Sequence, residues 1–393
     1  MARLRWFWGT YWQKCLVYGC GVAATIGLLG YKLGSLTSGL ASSETAMPTT
    51  HSLAHQLLQN PQYLPEQIIR LAISFSPYHG YTVSRLPSVL LGILLLILFV
   101  YVVRMWYGPR TAWFGAFLLV ASPWYLHIAR SATNDILYPL ALLALLVYTI
   151  EVQEPHKRWF FLLTPVLFSL IIYIPGMVWL LLLSVLWYRG DFKAMWESAS
   201  YALRTQWLLL WPVCLSLLGY ALWHKPKLAL DFAGLPQAVP HPLIALQHFG
   251  ALWVHIFARG PQNPTVGLGN LPLLNVFATA MFVVGAYFYI VHWRSNRSKL
   301  LLAITTVSTL LIAVGNKVQP SILLPIIYAI VAGGLGYLIH DWFKTFPRNP
   351  FARALGYILV TAVLVFSTIY NLRQYFVAWP HAEATKTTFV HRI

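Results

Sequence analysis

The fold class this sequence predicts is an all-α polytopic membrane protein, and three observations predict it. Of 393 residues, 58% are hydrophobic and only 9% charged, where soluble domains carry roughly 25% charged residues. The mean hydropathy is +0.64. The apolar residues gather into runs long enough to cross a bilayer, and the bases concentrate in short loops between them. Lys and Arg total 27 against 10 Asp and Glu, a net charge of +17. On a soluble chain that excess would suggest nucleic acid; distributed over short loops it reads as the positive-inside pattern, and nucleic acid is set aside. Cys15, Cys20 and Cys214 all lie in or beside apolar runs and form neither a CxxC pair nor a zinc spacing.

The chain opens with MARLRWFWGTYWQK, basic and aromatic, followed by an apolar run over 15–33. That run exceeds the apolar core of a signal peptide, so it reads as an uncleaved anchor, with Ala41-Ser42 as the weaker cleavage alternative. A first long loop follows over 34–84. In it THSLAHQLL and PEQIIRLAISF carry apolar residues at helical spacing, and Pro65 suits a helix's first turn. Two helices lying on the membrane surface are expected there. Further runs lie near 86–103, 111–128, 135–150, 159–174, 176–188, 206–223, 271–291, 300–315, 320–339 and 354–371. With the anchor they make about eleven transmembrane helices. The run around Tyr173-Ile174-Pro175-Gly176 is too long for one span and is split there, because Pro-Gly breaks a helix.

A second long loop, 224–270, contains the amphipathic PHPLIALQHFGALWVHIF and then a Pro- and Gly-rich stretch. Only residues 374–393 follow the last run, so one transmembrane domain without a C-terminal soluble domain is expected. With the N-terminus in the cytoplasm, the short inner loops hold Arg3, Arg5, Arg104, Arg110, Arg294, Arg297, Lys344 and Arg348. The long loops then face outward with few bases, which favours an N-inside, C-outside protein of the plasma membrane.

On the outer side this topology places Glu44, Glu66, Asp135, Asp231 and Glu383. Asp135 ends a polar hinge, RSATND, at the lip of the fourth helix. Helix capping would account for a carboxylate there, but Thr133 and Asn134 cap as well, and acids at a membrane lip are usually functional. Glu44 reads as a loop residue or as the first turn of a helix capped by Ser42 or Ser43, and Glu66 as a helix-start acid. His51 and His55 stand four apart without the glutamate of an HExxH motif or a third nearby ligand, so they read as a polar face and no metal site is assigned. Arg85, Arg130 and Lys317 each stand at a helix end. They read either as anchors snorkelling to head groups or as a clamp on a phosphate. Trp124, Tyr125, Trp293, Trp342 and Trp379 read as the interfacial aromatic belt.

RLPSVLLG at 85–92, a basic-Gly-basic turn, and ASPWYLHIARSATND at 121–135, in that order and topology, resemble the GT-C superfamily of polytopic glycosyltransferases, in its ArnT-like and protein-mannosyltransferase-like branch. The resemblance is strongest over residues 1–190 and architectural beyond. It implies a GT-C-like bundle that moves a sugar from a polyprenyl-phosphate donor to a lipid, glycan or protein acceptor at the outer face. It matches the family's second acidic position to Asp135 and its first, usually an aspartate, to Ser43-Glu44. Glu44 or Asp135 is then the base for the acceptor hydroxyl. Arg130 and Lys317, with Arg85, are the contacts to the departing phosphate. Membrane lipids are the other partners. The residues name no cofactor, and a divalent cation stays open. A lipid-linked-glycan flippase or other transporter is the alternative of a different class, but there are no matched broken helices and no carboxylate within an apolar run to support it. A non-catalytic, carrier-binding member of the same fold is the third reading.

Overall fold

The computed structural model describes residues 19–44, 50–75, 80–153, 158–238, 240–315 and 317–390. The basic N-terminal segment and the start of the anchor run lie outside them, as does the side chain of His51. Every regular element among the described residues is helical. All eleven apolar runs hold helix, of which six among the described residues, or seven with one bent pair, are long and apolar enough to cross a membrane, and the chain is an integral membrane protein. The first is α1 (Gly19–Gly30). The first loop carries α2 (Thr50–Gln59) and α3 (Leu64–Ser74). The centre is built by α4 (Tyr81–Tyr107), α5 (Pro109–Val120), α6 (Pro123–Arg130) and α7 (Leu137–Glu151). Then come α8 (Arg158–Ile172), α9 (Met177–Trp187), α10 (Arg189–Ser198), α11 (Tyr201–His224), α12 (Leu228–Phe232) and α13 (Pro242–Phe257). The chain closes with α14 (Val276–Val291), α15 (Asn296–Gly315), α16 (Leu324–Thr345), α17 (Pro350–Arg373), a π-helical turn, α18 (Trp379–His381) and α19 (Glu383–Thr388).

α4 packs against α5, α6 and α7, while α16 packs against α5 and α14. Burial separates interior from lipid-facing spans. The apolar window of the α16 span is 72% buried inside the bundle, while that of α11 is 6%. α11 has the same kind of side chains and turns them outward, as lipid permits.

Three local features position the lip of the bundle. The run read as one helix over 111–128 is instead bent by 65° between α5 and α6. The cause is local: the Ser122 hydroxyl accepts from Tyr125 N as an N-cap, and Pro123 occupies the first turn of the new helix. α6 then leans on α4 at Gly92, where a Cβ would stand 2.8 Å from Ala129 Cβ, and the Tyr125 hydroxyl donates to Gly92 O at 2.9 Å. The split at Pro175-Gly176 is present, with Gly176 left-handed (φ 77°). Its N–H donates to Phe232 O at 2.9 Å. Gly234, also left-handed, lies so close that its Cβ would stand 2.6 Å from Gly176 Cα. That contact seats the second loop on the bundle.

Two sequence expectations change. α13 packs on α15 with Leu252 and Ile256 inside, yet turns Leu243, Leu246 and Phe249 outward. A helix apolar on both faces suits hydrocarbon rather than a lipid–water boundary. Trp124, Tyr125 and Trp379 are not belt residues: all three are buried, whereas Trp293 is exposed.

Candidate functional site

The first loop, the hinge after α6, the turn before α16, the second loop and the C-terminal helices meet at one end of the bundle. The hinge, 131–133, is extended backbone joining α6 to the start of α7. Its central residue, Ala132, is held through both flanking peptides by the first loop. Glu44 Oε1 accepts from Ala132 N at 2.9 Å. Arg70 Nη2 donates to Ala132 O at 3.3 Å.

Each of those side chains belongs to a buried ion pair. Glu44 lies in a turn over 41–44, where its second oxygen accepts from Ala41 N at 3.0 Å. It takes two further bonds from Arg85, Nε at 3.0 Å and Nη2 at 2.9 Å. Arg85 also donates to Leu33 O, Thr37 Oγ1 and Gly39 O, which pins the start of loop one to α4. Glu66, which sequence reasoning left as a helix-start acid, accepts from Arg70 Nε at 2.9 Å and Nη2 at 2.6 Å and is fully buried. Burial holds its carboxyl above the ordinary range, more strongly than Arg70 draws it down. α3 is entered without a side-chain cap, through Tyr63 in the left-handed region. The Tyr63 hydroxyl meets that of Tyr138 at 3.1 Å, and Tyr138 donates to Lys317 O at 3.0 Å.

Arg130, at the end of α6, is neither exposed nor a snorkelling anchor; it is 3% exposed, and Arg85 4%. One amino group donates to Tyr31 O. The guanidinium lies over the rings of Tyr375 (5.3 Å) and Phe376 (4.8 Å). Its Nε and Nη1 have no hydrogen-bond partner among the described residues, and no carboxylate pairs with it there. It lines a small cavity with Arg85, Thr37, Ser131, Tyr375 and Trp379.

Asp135 stands apart from this cavity. It follows the hinge at the start of α7, where neither Thr133 nor Ile136 makes a side-chain cap bond. It lines a separate cavity with Trp124 and Ile128 of α6, His255 of α13, and Gln319 and Ser321. The Ser321 hydroxyl donates to the Asp135 carbonyl at 2.7 Å. Lys317 is drawn into neither cavity. Its half-exposed ammonium pairs with Asp231 at 3.2 Å.

The structure thus brings Glu44, Arg85 and Arg130 together and leaves Asp135 and Lys317 outside their cavity. Sequence reading missed Arg70 and Tyr375 and took Trp379 for a belt residue. Arg70 was legible as the i+4 partner of Glu66; the C-terminal aromatics gave no signal, because helix ends in membrane proteins are commonly aromatic.

The chain superposes on ArnT from Cupriavidus metallidurans in the apo state, with TM-score 0.51 and 13% identity over 95% of this chain and 76% of that one. The same protein bound to undecaprenyl phosphate gives 0.53 and 14%, over 94% and 76%. The Archaeoglobus fulgidus oligosaccharyltransferase, solved with zinc and sulfate, gives 0.51 and 13%, over 91% of this chain and 52% of that one. The likeness is one of fold, in keeping with the GT-C-like bundle that the sequence resemblance implies. By sequence, the chain matches no protein-family model and no curated protein.

Proposed function

We propose that the protein is a membrane glycosyltransferase that takes its sugar from a polyprenyl-phosphate carrier and holds the carrier's phosphate at Arg130. The observation that carries this reading is the buried Arg130 guanidinium with two unpartnered N–H groups, in a fold that ArnT shows with undecaprenyl phosphate bound. A buried cation without a carboxylate calls for an anion, and phosphate offers acceptor oxygens to both free groups.

In the reaction the acceptor hydroxyl attacks the anomeric carbon, the bond from that carbon to the phosphate oxygen breaks, and the carrier leaves as polyprenyl phosphate. Arg130, with Arg85 lining the same cavity, offsets the negative charge that develops on the phosphate. The proton of the hydroxyl goes to a carboxylate. Of the two candidates we assign Asp135. Glu44 already accepts four hydrogen bonds, which fill the roughly four lone-pair positions of a carboxylate; it is a positioning residue. Among the described residues no group of three His, Cys, Asp or Glu gathers, so a divalent cation would arrive on the phosphate itself. The lip faces outward and the N-terminus lies in the cytoplasm; labelling of a cysteine placed at Gly108 from the outside would reverse that orientation.

The test is binding of undecaprenyl phosphate to the purified protein. Arg130→Met should weaken it about tenfold or more, the order of a lost charge-assisted bond, while Arg294→Met, an exposed substitution outside the lip, should not. A wild-type protein that binds no polyprenyl phosphate refutes the reading. One observation favours a second reading, a carrier-binding protein without transfer: Arg130 and Asp135 line different cavities. Intact carrier binding with no transfer across a panel of polyprenyl-phosphate sugars would select it.

A further inference from the structure

Above the Arg130 cavity opens a cleft of ≈ 600 Å³ between the segment after α1 and the C-terminal helices. Lys32, His381 and Lys386 stand around it, all three exposed. Leu36, Thr37 and Phe389 line both the cleft and the cavity, so the two adjoin. The C-terminal wall is fixed in place. Ser38 Oγ donates to Phe389 O at 2.7 Å, and the Trp379 ring packs against Tyr375, Phe389 and His127.

Two more polar groups along this path are unpartnered among the described residues. They are the hydroxyl of Thr385, 2% exposed and lining the cleft, and the indole N–H of Trp379, lining the cavity. With Nε and Nη1 of Arg130 they make a column of unused donors running from the mouth to the buried guanidinium. Among the described residues, no Asp or Glu lines either space. Lysines thus stand at the mouth and buried unpartnered donors along the wall. A ligand with acceptor oxygens at both levels satisfies all of them.

We infer that the cleft is a second anion station, which reads a negatively charged group beyond the phosphate held at Arg130. The inference rests on the proposed carrier site and narrows its ligand to one presenting two anionic groups. The second group is either the outer phosphate of a diphosphate-linked carrier or a phosphate on the acceptor.

The experiment compares undecaprenyl phosphate with undecaprenyl diphosphate on the wild type and on Lys32→Ala/Lys386→Ala, with Thr385→Val as a separate variant that leaves the surface lysines in place. Both lysines are exposed, so the double variant keeps the fold. If the outer phosphate of the carrier occupies the cleft, the wild type prefers the diphosphate by about tenfold, the low end for charged contacts, and both variants reduce that preference. If an acceptor phosphate occupies it, the two lipids bind alike, but glycerol phosphate binds the undecaprenyl-phosphate-loaded wild type and fails to bind the loaded double variant. Equal affinity for the two lipids together with no glycerol phosphate binding overturns the inference, as does a diphosphate preference that the lysine and threonine variants leave unchanged. Loss of the carrier reading is separately visible: the wild type would then bind no undecaprenyl phosphate, while glycerol phosphate on the unloaded protein would still report on the cleft.

Discussion

Replacing Glu44 by Gln separates a base from a structural carboxylate. The Glu44 and Arg85 side chains are 2% and 5% exposed, so solvent screens their attraction little. The amide keeps one acceptor oxygen, but its NH₂ turns two protons toward groups that themselves donate. Of the four donors aimed at this carboxylate, Ala41 N, Ala132 N and two on Arg85, about half lose their partner. The Arg85 charge is left buried without its counter-charge. Breaking a buried pair from one side costs about 3–5 kcal/mol. Arg85 retains three neutral acceptors, so the expected loss is at the lower end, about 3 kcal/mol. Reversible unfolding in mixed micelles by SDS titration measures it. The double variant Glu44→Gln/Arg85→Met removes both charges and should recover stability relative to Glu44→Gln alone, with a coupling of about 2 kcal/mol. A Glu44→Gln protein that unfolds within about 1 kcal/mol of wild type yet transfers sugar about 100-fold more slowly would refute the positioning role and restore Glu44 as the base.

Three further outcomes are expected. Asp135→Asn keeps the size and the capping capacity of the side chain, so the protein should stay folded, while transfer falls by about 100-fold or more; near-normal transfer in a single-turnover assay would remove Asp135 from the chemistry. Lys317→Ala loses a half-exposed ion pair with Asp231, a change of less than about 1 kcal/mol, and undecaprenyl phosphate titrations should give the wild-type affinity; a clear weakening would return Lys317 to the phosphate site. Burial raises the Glu66 carboxyl, so the folded state holds this proton more tightly than the unfolded chain. The group's contribution to stability is full below the ordinary carboxylate range and is lost as pH rises through the raised folded value. The stability of wild type relative to Glu66→Gln should therefore fall across that window, and a difference that stays constant with pH contradicts it.

The fold was legible because lipid imposes a coarse constraint: backbone groups must be satisfied within each span, so apolar runs of spanning length become helices whatever their neighbours. Even the bend after α5 has a local cause, since Ser122-Pro123 is an N-cap followed by a first-turn proline. What could not be read is what joins distant segments. Gly176 invited a break, but nothing local said that Gly234 would lie against it. Asp135 stood out as a lip acid in a chain poor in acids. Glu44 looked ordinary because its partner Arg85 is 41 positions away and its other contacts are backbone N–H groups. The Arg130 cavity needs the C-terminal helices, and the Ser38–Phe389 bond that fixes them spans 351 positions. No periodicity encodes such a contact.

The same reasoning explains why charges hold a hinge that apolar side chains could also hold. Replacing a buried ion pair by hydrophobic groups of similar volume is often neutral or stabilising, so firmness alone does not call for Glu44 and Arg70. Apolar packing is non-directional, however, and leaves the two peptide planes that meet at Ala132 free to rotate. A carboxylate on the Ala132 N–H fixes the plane of the 131–132 peptide, and a guanidinium on the Ala132 C=O fixes that of the 132–133 peptide. Arg130 lies two residues before Ala132 and Asp135 three after it, so a rotation of these planes would reorient one relative to the other. Each clamping side chain is itself held by an opposite charge from the first loop or from α4. The geometry of the hinge is therefore set by the first loop, while the residues assigned to phosphate and proton come from α6 and the start of α7.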